Sequence, residues 1–232
     1  MTGKAIAIIP ARGGSKRIPK KNIRKFAGKP IISYSIESAL ESGCFDEVMV
    51  STDSPEIAEV ARNHGAAVPF LREEKTACDK AGIAEVVLEV LDRYRERGSE
   101  FPYYCCLLAT APFISADMLR TGKSLITREK CESVATICEF AYPIQRALQI
   151  SEDGNLEMLW PENYKKRSQD LDAAYHDAGL FYWGTADYLS RTQKLFDHNS
   201  KPIVVSMNQC HDIDTEEDWT LAELKFDRLK DE

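Results

Sequence analysis

A cationic loop near the start of the chain carries residue types that could bind a polyphosphate. No Asp or Glu occurs from residue 5 to residue 36. The cations of the loop are Arg12, Lys16, Arg17, Lys20, Lys21, Arg24 and Lys25. Between them, Gly13, Gly14 and Ser15 form a segment whose backbone N–H groups can turn toward one point and hold an anion. Arg12 offers a planar fork of donors for phosphate oxygens, and Lys21 offers a flexible point charge. We therefore predict a phosphate site here.

Other interpretations of this loop stay open. Its glycine spacing is neither G-x-x-x-x-G-K-[ST] nor G-x-G-x-x-G, so neither of those phosphate-binding mechanisms transfers to it. Short Lys/Arg clusters are also typical of targeting signals and nucleic-acid patches. Phosphate binding is favoured because the cluster directly follows the apolar run of residues 5–9, which is typical of a buried parallel strand.

Two carboxylates near the end of the chain, Asp212 and Asp214, could bind a metal ion. In an extended segment residues i and i+2 point to the same side, so both could reach one ion while Ile213 packs inward. Carboxylates, phosphate oxygens and waters are ligands that Mg²⁺ prefers. The alternative is structural, because acidic residues are common at helix starts. We expect His211 to be a neighbour of the ion rather than a ligand.

Strands that alternate with helices must position these groups. The predicted strands are residues 5–9, 48–51, 68–71, 103–108, 133–137, 180–183 and 203–206. The predicted helices are residues 31–42, 55–63, 84–95, 116–127, 185–190 and 216–230, with Ser54 and Thr215 as N-caps. This order predicts a doubly wound, mostly parallel, Rossmann-like α/β sheet with ligands above the carboxyl ends of its strands. We expect residues 1–232 to form one domain, from which residues 142–175 depart as an insert with a hairpin turn at residues 153–155.

Composition limits the function classes. The formal net charge is −7, although residues 5–36 hold eight cations, so the remainder is strongly acidic. This asymmetry favours a local anion site and argues against general nucleic-acid binding. We expect no membrane partner, because no apolar stretch approaches the ~18 residues of a span, and we see no signal region. Seven cysteines without a C-x-x-C pair favour reduced thiols in a cytoplasm.

Residues 9–23, IPARGGSKRIPKKNI, resemble the signature of the CMP-sugar-acid synthetases, the cytidylyltransferases for sialic acid and its relatives. The resemblance extends over residues 5–219 and is strongest to the pseudaminate branch. It implies a nucleotidyltransferase fold and Mg²⁺-dependent transfer of CMP from CTP to the anomeric hydroxyl of a nonulosonic acid, with release of pyrophosphate. It also implies a homodimer, with the insert as dimer arm or lid. The same reaction on sialic, legionaminic or another keto-sugar acid stays open, as does a CTP-binding domain without activity.

The resemblance also implies roles for individual residues. Catalytic roles fall to Arg12, Lys21 and Asp214, and metal binding to Asp212 and Asp214. The implied nucleotide-binding residues are Ala11, Arg12, Gly13, Gly14, Ser15, Lys21 and Asn22. The implied sugar-binding residues are Thr110, Arg146, Arg167, Gln169 and Asp177, some of them reaching the site across a dimer interface.

Three of these candidates, Arg146, Arg167 and Gln169, lie on the insert. The alternative interpretation is that they are ordinary surface residues without a role in sugar binding. The chain departs from its relatives at Leu108 and Leu180, where other members carry Gln, and this leaves the choice of sugar open.

Overall fold

The computed structural model describes residues 3–78, 80–129 and 131–230, and a six-stranded sheet forms the centre of these residues. In chain order the strands are β1 (Ala5–Pro10), β2 (Lys25–Phe26), β3 (Lys29–Pro30), β4 (Glu47–Ser51), β5 (Tyr103–Leu107), β6 (Ser133–Glu139), β7 (Leu148–Ile150), β8 (Leu156–Met158), β9 (Tyr175–Thr185) and β10 (Ser200–Val205). The helices are α1 (Ile31–Ser42), α2 (Pro55–Asn63), α3 (Glu74–Ala77), α4 (Ile83–Glu96), α5 (Ala116–Arg128), α6 (Ala186–Thr192) and α7 (Glu216–Lys230).

The strand order of the central sheet is β10-β6-β9-β5-β1-β4. Strand β9 is antiparallel to both of its neighbours, and the other pairs are parallel. This confirms the predicted mostly parallel α/β sheet. The small pair β2–β3 and the short helix α3 are additions that the sequence pattern did not predict.

Strand β1 shows why both faces of the sheet are covered. Ala5, Ala7 and Ile9 lie in one core cluster, and Ile6 and Ile8 lie in the other, all without exposed surface. Because successive side chains of a strand point to opposite faces, a strand that is buried on both faces reads as a continuous apolar run. The carboxyl end of β1 therefore emerges from a part of the sheet that is covered on both faces, between β5 and the edge strand β4.

The predicted strand at residues 68–71 is wrong. The chain there runs beside β4, but the structure pairs it through one parallel bridge, between Met49 and Ala67. The backbone N–H of Arg72 then bonds to the carbonyl just past β4 at 2.8 Å. Pro69 lies between these two contacts and has no N–H to donate, so the ladder cannot continue through it.

Residues 142–175 leave the sheet between β6 and β9 and carry the hairpin β7–β8. Gly154 has φ of +77° in the turn, which confirms the predicted hairpin. The insert exposes large apolar side chains to solvent, among them Tyr142, Leu148, Ile150, Leu156 and Tyr164. Tyr175 already belongs to β9, so the insert returns directly into the sheet. The division into one domain with an insert stays a prediction.

Helix α7 packs against residues from the beginning of the chain. Thr215 caps it as predicted, because the backbone N–H of Asp218 donates to the Thr215 hydroxyl at 3.2 Å. Trp219 and Phe226 pack edge-on against Phe26, which is fully buried. These contacts place the segment before α7 next to the loop after β1.

Candidate active site

A cavity of about 500 Å³ opens at the carboxyl end of β1. Loop residues form its polar side, namely Arg12, Ser15, Lys16, Arg17, Lys21 and Asn22. Its other side is mainly apolar and comes from α4 and from the segments flanking α4 and β5, namely Ala81, Ile83, Val86, Leu108, Ala109 and Thr110. A ligand with an apolar ring and an anionic tail matches these two sides.

The loop after β1 is folded against the core rather than solvated. Ile18, at its centre, has no exposed surface. The backbone N–H of Ala11 donates to the Ser51 carbonyl at 2.9 Å, and the Asn22 amide donates to the Arg12 carbonyl at 2.9 Å. These contacts fix the backbone from which the cationic side chains extend.

Asp214 joins this loop from the other end of the sequence. Its carboxylate lies 3.3 Å from the Lys21 ammonium and 2.8 Å from the Arg17 guanidinium. Lys21 also donates to the Ile213 carbonyl. Two predicted catalytic residues, 193 positions apart, are therefore in direct contact.

The D-x-D segment alternates as its sequence predicts. Ile213 has no exposed surface, whereas Asp212 is exposed and Asp214 is partly exposed. A divalent cation fits this donor set, because two accessible carboxylates leave room for the waters and phosphate oxygens that Mg²⁺ also takes. The Nε2 of His211 lies 2.9 Å from the Asp218 carbonyl. Because a carbonyl only accepts, this nitrogen carries the proton and cannot ligate an ion. The metal role of the two aspartates stays a prediction.

The glycine pair has a different structural use from the one that the sequence indicates. The Gly13 N–H donates to the Asp53 carboxylate at 2.8 Å, and the Ser15 N–H donates to the Gly13 carbonyl at 3.1 Å. A Cβ on Gly13 would lie 3.1 Å from the Cβ of Ser54, whereas a Cβ on Gly14 would meet nothing within 4 Å. Gly13 thus permits a close approach to the segment after β4. The nucleotide-binding roles of Ala11, Gly13 and Gly14 stay predictions.

The residues predicted for the sugar acid divide into two groups. Thr110 lines the cavity, whereas Arg146, Arg167 and Gln169 lie on the insert and are not among the described lining residues. Arg167 pairs with Asp170 at 2.8 Å on the exposed surface. Gln169 instead lines a second cavity, of about 390 Å³, at the base of the insert. Within one chain these three side chains are not assembled with the loop.

Asp177, also predicted for the sugar, lies at the start of β9. One of its carboxylate oxygens accepts from the Tyr182 hydroxyl at 2.6 Å, and the other accepts from the Gly179 N–H at 2.8 Å. Burial, together with the bond to Asp177, raises the pKa of Tyr182, so its hydroxyl keeps its proton and remains the donor. Asp177 is therefore held in a fixed orientation.

Arg72 is a cavity residue that sequence reasoning missed. Its side chain is 9% exposed and donates from Nε to the Ser51 hydroxyl at 3.0 Å. Burial lowers the pKa of Arg72, and the negative charges of Asp53 and Glu89 act against that lowering. In the sequence, Arg72 is a cation that directly follows residues 68–71. These residues were predicted to form a strand, and the carboxyl ends of the strands were predicted to face the ligand.

Leu108 and Leu180, the two positions at which the resemblance implies Gln in other members, are neighbours in space. The backbone N–H of Leu108 donates to the Leu180 carbonyl at 2.9 Å. Leu108 lines the cavity, and Leu180 is 1% exposed. Leu108 therefore belongs to the cavity wall, whereas Leu180 belongs to the buried core and is not among the described lining residues.

Solved structures share this fold. A CMP:2-keto-3-deoxy-manno-octonic acid synthetase complexed with CTP superposes with a TM-score of 0.69 at 19% identity, covering 99% of this chain and 100% of that one. A 4-diphosphocytidyl-2C-methyl-D-erythritol synthase from Anaerococcus prevotii superposes with a TM-score of 0.65 at 13% identity, covering 98% and 100%. At these identities the likeness shows the fold, which is the Rossmann-like nucleotidyltransferase fold.

The chain belongs to the cytidylyltransferase family, whose model matches residues 6–205. It is 43% identical to the pseudaminic acid cytidylyltransferase of Campylobacter jejuni over 96% of both chains. It is 34% identical to the CMP-N,N'-diacetyllegionaminic acid synthase of Legionella pneumophila over 95% of both chains. Among the described residues, no helix combines the length and apolar character that a membrane span requires.

Proposed function

We propose that this chain transfers CMP from CTP to the anomeric hydroxyl of a nonulosonic acid, with pseudaminic acid as the favoured acceptor, and releases pyrophosphate. The 43% identity to the Campylobacter pseudaminic acid enzyme supports the reaction and the acceptor. The observation that carries the proposal is the contact of Asp214 with Lys21 and Arg17 at the mouth of a cavity with one cationic and one apolar side.

The proposed chemistry needs positioning and charge neutralisation rather than covalent help. The sugar hydroxyl attacks the α-phosphorus, and the bond to the leaving pyrophosphate breaks. Arg12, Lys21 and Arg72 line the cavity, and the first two would hold the phosphate oxygens on which charge develops. The apolar wall from α4 suits the cytosine ring and keeps water from that side.

Asp212 and Asp214 would hold Mg²⁺. When bound, the ion neutralises phosphate charge and lowers the pKa of a coordinated hydroxyl. Asp214 is paired with Lys21 and Arg17. A triphosphate competes for both cations, since each gains a more strongly charged partner, and this would release the carboxylate for the ion.

The insert is proposed as the contact with a second copy of the chain. Ile150 is 78% exposed, Leu156 is 70% exposed and Tyr164 is 72% exposed, and side chains of this kind are costly to leave in water together. In such a homodimer the arm could bring Arg146 and Arg167 to the partner's cavity, where their cations suit the acceptor's carboxylate. We further propose a reducing, cytoplasmic setting, which the seven free cysteines support.

A second candidate acceptor is a legionaminic acid, because the Legionella relative spans 95% of the chain. Pyrophosphate release with CTP tests both candidates, with a panel of pseudaminic, legionaminic, sialic and octulosonic acids, each with and without Mg²⁺. Release with pseudaminate that requires Mg²⁺ is the expected result. Turnover of another acid alone would overturn the acceptor, and CTP binding without turnover of any acid would favour a CTP sensor.

The matched variants are Asp214→Asn and Glu217→Gln. Asn keeps the shape of the side chain but loses the charge that holds Lys21 and the proposed ion, so we expect kcat/KM to fall by about 100-fold or more. Glu217 is an exposed carboxylate three positions away, and its replacement should leave the rate within a factor of about two. Equal rates in both variants would remove Asp214 from the mechanism.

A further inference from the structure

Three side chains that can ligate a metal converge outside the proposed nucleotide cavity. They are Cys138 on β6, His176 on β9 and Cys210 between β10 and α7, and their ligand atoms all lie within 4.8 Å of one another. Cys138 is buried, and the other two are partly buried. None of them is among the described residues that line the cavity of the cationic loop.

The fold brings these residues together from three segments. Cys138 and His176 are direct partners in the antiparallel register of β6 and β9, a position where Cβ atoms lie about 4.5–5.5 Å apart. The Cys210 carbonyl accepts from the ammonium of Lys225 on α7 at 3.0 Å, and its thiol lies 3.8 Å from the Ala178 carbonyl. The cluster is therefore held by two paired strands and by a loop residue whose backbone is bonded to α7.

The tautomer of His176 suits ligation. Its Nδ1 lies 2.9 Å from the Asp177 carbonyl, which can only accept, so Nδ1 carries the proton and the lone pair lies on Nε2. A metal-binding histidine generally has its other ring nitrogen bonded in this way. Phe140 packs edge-on against the ring, with centroids 4.9 Å apart, and fixes its plane.

We propose that Cys138, Cys210 and His176 bind one Zn²⁺-like cation. Two sulfurs and one imidazole form a borderline-soft donor set that tetrahedral Zn²⁺ prefers, with the fourth position left to water. Each thiol loses its proton to solvent as its sulfur bonds to the ion. This site is distinct from the all-oxygen pair Asp212 and Asp214, which suits a harder cation.

The ion would fasten the D-x-D segment to the sheet. Cys210 precedes Asp212 by two residues, while Cys138 and His176 belong to the two paired strands. Metal binding would therefore fix the backbone from which Asp212 and Asp214 extend. This role does not depend on the identity of the sugar acceptor or on turnover.

The experiment uses tag-free, reduced, chelator-stripped protein and cobalt(II) alone as a spectroscopic probe. Wild type should bind one equivalent with thiolate-to-cobalt charge-transfer absorption, and Zn²⁺ should displace it. The test variants are Cys210→Ser and His176→Gln, and the control is Cys78→Ser, an exposed cysteine outside the cluster. We expect about 100-fold or greater loss of affinity in both test variants, since removing only a hydrogen-bond partner of a ligand already costs roughly 10–100-fold.

Circular dichroism of each variant shows whether it is folded, so that a lost signal is assigned to a lost ligand. Cobalt absorption that is absent in wild type, or unchanged in folded Cys210→Ser, would overturn the site. A Cys138–Cys210 disulfide that persists in reductant would overturn it too. Retention of the band in Asp214→Asn is expected, and loss there would place the cation at the carboxylates instead.

Discussion

At the scale of single residues, the buried guanidinium of Arg72 links the edge of the sheet to the cavity. It donates both to the Ser51 hydroxyl and to the Ser51 carbonyl, a pairing that uses the planar fork of Arg. In Arg72→Lys the charge is kept but the fork is lost, so we expect the Kd for CTP to rise by about tenfold, which corresponds to one good charged hydrogen bond. Isothermal titration with CTP measures this change.

The control for Arg72 is Arg93→Lys. Arg93 extends from α4, bonds to the Leu71 carbonyl and is not among the described cavity residues. Its replacement should leave CTP affinity unchanged. If both variants bound CTP like wild type, Arg72 would have only a structural role.

The adjacent glycines Gly13 and Gly14 offer a comparison within one loop. An added methyl at Gly13 lies 3.1 Å from the Cβ of Ser54, whereas one at Gly14 enters open space. Gly13→Ala should push the loop from the segment after β4 and weaken CTP binding by about tenfold, a cost within the 1–3 kcal/mol of overpacking. Gly14→Ala should bind normally, as CTP titration would show. The opposite order would mean that a close approach of Gly14 to the nucleotide, rather than the contact of Gly13 with Ser54, limits binding.

The sequence alone indicated Arg12, Lys21, Asp212 and Asp214 as candidate site residues, because cations suit phosphate groups and carboxylates suit a metal ion. It showed Arg72 only as a cation after residues 68–71 and could not show its burial, which depends on how residues 68–72 pass β4. Nor could it reveal Cys138, His176 and Cys210 as a group, because strand pairing between β6 and β9 brings them together. The use of Gly13 likewise depends on a contact with Ser54, which is remote in sequence.

At the scale of elements, the insert carries the contact surface that we propose for a second copy. Ile150→Lys places a charge on the most exposed aliphatic side chain named there, so we expect the homodimer to dissociate at concentrations where wild type stays dimeric. Gln149→Lys adds the same charge to the neighbouring exposed position, whose side chain points to the opposite face of β7. Sedimentation velocity over a concentration series distinguishes them. A monomeric wild type would contradict the proposed dimer.

Helices and parallel strands were predictable because their apolar periods are strong. Strand β1, helix α2 with its Ser54 cap and helix α7 with its Thr215 cap all occur as expected. The predicted strand at residues 68–71 was wrong because its buried apolar residues do not form a hydrogen-bonded ladder, which cannot continue across Pro69. Strand β9 extends over Tyr175–Thr185, whereas the predicted strand covered residues 180–183. The additional residues pair with β6, and several of them are polar, so the local sequence pattern does not identify them as a strand.

At the scale of the whole molecule, the chain is acidic but carries a cationic region at the end of β1. The net charge is −7, and the loop concentrates positive charge at the cavity. Salt should screen this attraction, so the Kd for CTP should rise several-fold as ionic strength increases from about 0.05 to 0.5 M. Binding of uncharged cytidine is the control and should change little. Equal salt dependence of both ligands would show that the loop does not bind the triphosphate.

The order in which the chain leaves the ribosome follows from the contact between Lys21 and Asp214. Once residue 205 has been made, every strand of the described central sheet exists, but the aspartates do not. Lys21 and Arg17 then lack their contact with Asp214 until α7 emerges and docks on Phe26. A nascent chain therefore has the cationic half of its site long before the acidic half, and nucleotide turnover should begin only after α7 has been made.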